Sequence, residues 1–201
     1  MMKKFKQVLR RSIAACAAGA MIVTMMPVSM VHAADSEKKL VLHYDFNSLT
    51  SGTIVNDVSG NGKAGVVRPT GSEVKTEAAE IFGSEHTAFV MNGGKPDATH
   101  AYVEMPTGVL NGLEDVTISC WAYVNSAPGA YQRIWDIGSN TTSYMYLLAD
   151  GGNDGHTGYT SAITASGWKN EKGPEKQTPI ETGKWVLTTV TFDGSEKSMS
   201  L

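Results

Sequence analysis

The chain has 201 residues, with 17 basic and 20 acidic side chains and a formal net charge of −3. An acidic balance argues against a nucleic-acid or anionic-lipid partner, and two cysteines give no disulfide framework. About 170 residues beyond the leader suffice for one domain with a sizeable core.

The first 33 residues read as a secretory signal peptide. Lys3, Lys4, Lys6, Arg10 and Arg11 form a basic start, residues 13–31 are apolar, and Val31-His32-Ala33 is a small-residue cleavage pattern. An uncleaved anchor is the alternative. Ile13-Ala14-Ala15-Cys16 has a lipoprotein-like look, but Cys16 sits at the start of the apolar run, with no h-region before it, so lipidation is discounted. Removing the leader takes away five basic residues and no acid. The remaining 12 bases against 20 acids give residues 34–201 a net charge of −8. The expected product is a secreted chain, free of the membrane after cleavage. Its one cysteine, Cys120, lies in a strand-like run and reads as a buried, inert thiol.

Residues 40–46 alternate and predict a first strand. The polar turn 57–65 follows. Residues 64–68 predict a second strand stopped by Pro69, and residues 71–80 predict a loop. Strands are expected at 87–91 and 101–105. Residues 116–124 alternate, with bulk on both faces, which predicts a strand between two packed layers. Residues 132–138 and 143–149 predict a hairpin around Ser139-Asn140-Thr141, and 158–164 a further strand. Residues 169–182 predict a loop and 185–192 a strong strand. Asp193-Gly194 is a hairpin signal, with 199–201 starting the return. Short strands between Gly, Pro, Asn and Asp clusters predict an all-β antiparallel sandwich or jelly roll. Because the sequence stops within a strand, the chain is expected to be an N-terminal fragment of a longer protein.

Two templates touch the turn. Gly60-Asn61-Gly62-Lys63-Ala64-Gly65 has dinucleotide-loop spacing, but Val66-Val67-Arg68-Pro69 is no helix, so no pyrophosphate site follows. Asp57-x-Ser59-x-Asn61-Gly62 starts like a calcium loop, yet its twelfth position is Arg68 where an EF-hand needs Glu. Two readings stand. One is a different calcium site using Asp57, Asn61, backbone carbonyls and Asp45. The other is a metal-free turn built of ordinary turn residues. Asp150-Gly151-Gly152-Asn153-Asp154-Gly155-His156 reads as a solvated hairpin tip.

Tyr131, Trp135, Tyr144, Tyr146, Tyr159 and Trp168 gather in the middle hairpins. Flat aromatic faces with polar neighbours suit sugar rings, so the candidate carbohydrate-binding residues are Tyr131, Arg133, Tyr144, His156, Tyr159 and Trp168. Trp121 and Trp185 lie within strands and are expected in the core. Trp168, beside Gly167 and a charged run, is the candidate exposed platform. The chain has no HExxH, GxSxG or CxxC, and no strand carries the alternating acids of a jelly-roll glucanase.

Tyr44-Asp45-Phe46-Asn47 with residues 55–65, Phe89 to Gly93 with Tyr102 to Pro106, Val116 to Ala122, and Gly183-Lys184-Trp185 to Asp193-Gly194 together resemble the bacterial laminin-G-like, concanavalin A-like jelly-roll family. The resemblance covers about residues 40–201. It implies a secreted sandwich that often binds calcium and is commonly attached to enzymes acting on polysaccharides. The expected function is a non-catalytic carbohydrate-binding module of a polysaccharide-degrading protein, with a glycan partner, structural calcium and further domains in the same chain. A structural or adhesive protein-binding domain, or part of a glycoside hydrolase, are the alternatives.

Overall fold

The computed structural model describes residues 39–50, 52–93, 100–125, 131–150, 161–164, 171, 173, 180–196 and 198–201. The signal peptide expected at 1–33 lies outside them. Leu40–Leu201 forms one compact unit. Among the described residues it is all-β: a 3-10 turn at Asn47–Thr50 and eleven strands, every strand pair antiparallel. The order along the chain is β1 (Ile54–Val55), β2 (Gly65–Arg68), β3 (Lys75–Ile81), β4 (Ser84–Val90), β5 (Tyr102–Glu104), β6 (Val116–Tyr123), β7 (Arg133–Asn140), β8 (Ser143–Leu148), β9 (Ser161–Thr164), β10 (Trp185–Asp193) and β11 (Ser198–Ser200). They pair as β1-β2-β5, β3-β4, β7-β8-β9 and β11-β10-β6.

The strands follow the alternation of their side chains. In β2, Gly65 and Val67 are buried while Val66 and Arg68 are half-buried. Val67 packs with Leu49 and Val55, and Tyr44, Phe46, Val74, Phe89, Ala101 and Val103 close around them. In β10, Thr188 and Val190 are buried and Leu187, Thr189 and Thr191 are exposed. The buried Thr188 hydroxyl is satisfied: it donates to the Cys120 carbonyl and meets the Cys120 thiol, each at 3.0 Å. Cys120, expected to be buried, is half-buried, and the burial it has pushes its thiol above the ordinary range.

Two expectations are overturned. Residues 40–46 form no ladder; their one strand-like contact is an isolated bridge from Tyr44 to Asp57. The reason is that the His43 N–H is taken by a side chain, the Asp57 carboxylate. Residues 75–80, expected to be loop, belong to β3 and pair along their length with β4. Only Ala79 of β3 is buried, so its pattern carries little apolar signal.

A third correction concerns β6. Its registered pairing with β10 sets Trp121 opposite Leu187, Tyr123 opposite Trp185 and Ser119 opposite Thr189. Directly opposed residues share a face, and this face is the outer one: Leu187 is 50% exposed and Tyr123 43%. Trp121 and Trp185, expected in the core, are therefore outward and only half-buried. Their cover comes from neighbouring rings. Phe82 meets Trp121 edge-on at 5.2 Å, and Tyr123 meets Trp185 at 5.5 Å. Phe82 itself is 90% exposed, at the tip of the β3–β4 hairpin, with a left-handed φ of 51°.

Candidate functional site

The β7–β8 hairpin turns where the sequence expected it, with the Asn140 side chain accepting the Thr142 N–H and hydroxyl at 2.8 and 2.7 Å. Its register is interrupted between Arg133 and Trp135. That interruption decides the chemistry of the face. Residues three apart on a regular strand point to opposite sides. The extra residue puts Arg133, opposite Leu148, on the same side as Asp136, opposite Tyr146. Tyr144, Tyr146 and Leu148 alternate along β8 and complete that side. Trp135, Ile137, Met145 and Leu147 take the other, where Leu147 is fully buried.

Five side chains converge there. Tyr144 and Tyr146 stack at 5.9 Å with a 26° tilt. The Arg133 guanidinium lies 4.6 Å from the Tyr146 ring centre and 5.7 Å from that of Tyr144, close enough for cation–π attraction. Arg133 is also ion-paired with Asp136, both side chains 41% exposed. Glu171 receives the Tyr144 hydroxyl at 2.5 Å and the Tyr146 hydroxyl at 2.7 Å, one on each carboxylate oxygen. Gly138 stands opposite Tyr144, and a Cβ there would fall 2.6 Å from the Tyr144 Cβ and 2.8 Å from the Ser143 carbonyl oxygen. The absence of a side chain lets the strands approach.

Burial, and after it the hydrogen bond to the Glu171 carboxylate, raise both phenols: Tyr144 to about 12, and Tyr146 further. A phenol raised on folding holds its proton more tightly in the folded chain. The stability it brings is complete below the unfolded value of about 10 and is lost as pH rises through about 12. In an absorbance titration of the folded chain at alkaline pH, Tyr144 and Tyr146 should ionise late, above the ordinary phenol value of about 10. Replacing either by Phe should remove amplitude from the late phase; removal from the early phase would contradict the assignment.

Of the six residues expected to bind carbohydrate, the structure brings Arg133 and Tyr144 together. Tyr131 stands half-exposed just before β7, with a φ of 68° and its N–H on the Asp150 carbonyl. His156, Tyr159 and Trp168 lie outside the described residues. Sequence reasoning did not single out Glu171. It reaches the tyrosines across 25 and 27 residues, and within its charged run nothing distinguished it.

The three expected metal ligands divide. Asp57 and Asn61 share the opening turn, where Gly60 and Gly62 supply left-handed φ values of 84° and 69°. Asp57 Oδ1 accepts the His43 N–H at 3.1 Å, the Ser59 N–H at 3.0 Å and the Ser59 hydroxyl at 2.5 Å, and Oδ2 accepts the Lys63 N–H at 2.9 Å. These bonds, with the Ser59 hydroxyl foremost, hold the carboxyl well below its ordinary range. Asp45 is engaged elsewhere, accepting the Asn47 N–H and side-chain amide at 3.1 and 2.9 Å. Among the described residues no group of three or more His, Cys, Asp or Glu could hold a metal ion. None of their helices is long and apolar enough to cross a membrane.

Residues 97–201 match the family model described as the concanavalin A-like lectin/glucanases superfamily. The match spans β5 to β11 and so includes the Arg133–Tyr144 face; the turn at Asp57 lies before it. No curated protein matches, and no solved structure matches.

Proposed function

Since the chain belongs to the concanavalin A-like lectin/glucanase superfamily, we propose that it is a non-catalytic carbohydrate-binding module. Its ligand rests on the side of β7–β8 that carries Arg133, Asp136 and Tyr144. The observation that carries this reading is the cluster itself. Tyr144, half-buried and backed by the buried Tyr146, offers an apolar surface to the C–H face of a sugar. Beside it stand a guanidinium with donors only and a carboxylate with acceptors only, and each sugar hydroxyl can use both. Because Glu171 occupies both phenol hydroxyls, the polar reading of the sugar falls to Arg133 and Asp136. The leader-like residues 1–33 and the net charge of −8 support an exported module acting on a neutral glycan within a polysaccharide-degrading protein.

Affinity electrophoresis through gels containing neutral or acidic polysaccharides tests the assignment. Arg133→Ala and Tyr144→Ala should each weaken retention about tenfold or more, the equivalent of 1.4 kcal/mol. Trp168→Ala in the same gels tests the exposed platform expected from the sequence. Retention unchanged in both the Arg133 and Tyr144 variants would sink the proposed face.

The outer side of β6–β10 favours a second reading, a protein-contacting domain. Phe82, Trp121, Tyr123 and Leu187 place aromatic and aliphatic surface where solvent reaches it. A folded chain retained by no polysaccharide would leave that reading in place of the first.

A further inference from the structure

We infer that the opening turn holds no calcium: the Asp57 carboxylate stands at its centre and gathers the chain as a cation would, with the polarity reversed. A calcium loop aims six to eight oxygens inward at an ion. Here hydrogen-bond donors converge on a carboxylate instead. They come from three places along the chain: His43 before the turn, Ser59 within it and Lys63 at its exit.

The carbonyls a cation would recruit nearby already accept hydrogen bonds. Asn61 turns its amide NH2 toward the carbonyls of Leu40 at 2.7 Å and Val41 at 3.3 Å, and toward the Ser59 hydroxyl at 2.9 Å. The Lys63 carbonyl accepts the Tyr44 hydroxyl at 2.8 Å. The His43 carbonyl accepts the Val58 N–H at 2.9 Å. An ion on Oδ1, which already accepts three hydrogen bonds, would have to displace a donor, which is unfavourable; Oδ2, which accepts the Lys63 N–H, offers one oxygen where calcium takes six to eight. Asp45, the further ligand the sequence offered, already serves the Asn47 N–H and amide.

The clamp does the mechanical work expected of the ion. It ties residues 40–44 to the entrance of β2. There Gly65 lies so close that a Cβ would meet the Tyr44 hydroxyl at 2.9 Å and Val103 at 3.0 Å. Lys63 extends the tie by donating to the Val109 carbonyl at 3.4 Å. The inference is independent of the sugar-binding reading, since the two sites share no residue.

The test compares thermal unfolding of the purified chain in millimolar calcium and in excess EDTA, with calorimetric titration of calcium alongside. A site filled at a hundred times its Kd would raise Tm by roughly 5–10 °C. The expected result is no difference beyond about 1 °C on that scale. Asp57→Asn should lower Tm equally in both media. Should that variant not fold, Ser59→Ala and Asn61→Ala remove fewer bonds and give the same comparison. A calcium-dependent rise that any of these variants abolishes would overturn the inference. A rise that survives in all of them puts the ion elsewhere and leaves the clamp metal-free.

Discussion

Gly138→Val is expected to lower the melting temperature by roughly 6–12 °C and to abolish polysaccharide retention. Any side chain at this position starts with a Cβ 2.6 Å from the Tyr144 Cβ, 2.8 Å from the Ser143 carbonyl oxygen and 2.9 Å from the Tyr144 Cα. These are main-chain or near-main-chain atoms of the paired strand, so no rotamer change relieves the clash. Relief requires β7 and β8 to separate. Overpacking of this kind costs about 1–3 kcal/mol, and rigid neighbours place it at the upper end. For a unit of this size each kcal/mol is worth about 2–4 °C. The same separation moves Tyr144 away from Arg133, so stability and ligand retention should fall together. Differential scanning calorimetry and affinity electrophoresis on one preparation check both. A variant with unchanged Tm would refute the close approach of the strands, and retained sugar binding would refute its role in forming the face.

Leu147→Ala should show a different pattern. Leu147 is fully buried, on the side of β8 turned away from the tyrosines and opposite Trp135. Truncation removes apolar contact and leaves a cavity, at a cost of about 3 kcal/mol. Tm should drop by roughly 6–12 °C, while the Arg133 face keeps its residues. Binding measured well below the new Tm should therefore persist. Leu187→Ala is the control: half-exposed on the outer face of β10, it should change stability by no more than about 0.5 kcal/mol. Equal losses at the two leucines would show that Leu147 is not the core residue its burial makes it.

Much of the strand pattern was legible in the sequence because alternation and turn residues are local signals. The run from Val116 predicted β6, Asp193-Gly194 predicted the turn into β11, and Ser139-Asn140-Thr141 predicted the β7–β8 reversal to within a residue. What escaped notice depends on partners distant in sequence. Lys75–Ile81 is polar because only Ala79 is buried, and pairing with β4 makes it a strand. Leu40 to Phe46 has strand composition, but an aspartate side chain takes one of the N–H groups a ladder would use. Which face Trp121 occupies is a property of the sheet's surroundings; alternation says only that it opposes Cys120 and Ala122.

The candidate site was legible as a set of residue types and illegible as a constellation. Arg133 and Tyr144 were identified as aromatic and polar neighbours in one hairpin. An irregularity of register between Arg133 and Trp135 determines that Arg133 shares a side with Asp136, and no single residue announces it. Glu171 joins only through the fold. At the opening turn the residue types were correct for oxygen chemistry, but side-chain identity does not say whether donors or a cation will meet a carboxylate.

The tip of the β3–β4 hairpin breaks a local rule. Phe82 and Gly83 both have left-handed φ, 51° and 75°, the pair of conformations for which such turns ordinarily take Asn-Gly. A bulky residue held there carries roughly 1–2 kcal/mol of backbone strain. Substituting asparagine would relieve part of that strain and would also remove the ring that stands against Trp121. The hairpin therefore gives up local stability at its tip and in return keeps an aromatic ring at its most solvent-exposed point. A stability screen would select that substitution, and in selecting it would uncover Trp121 on the outer face.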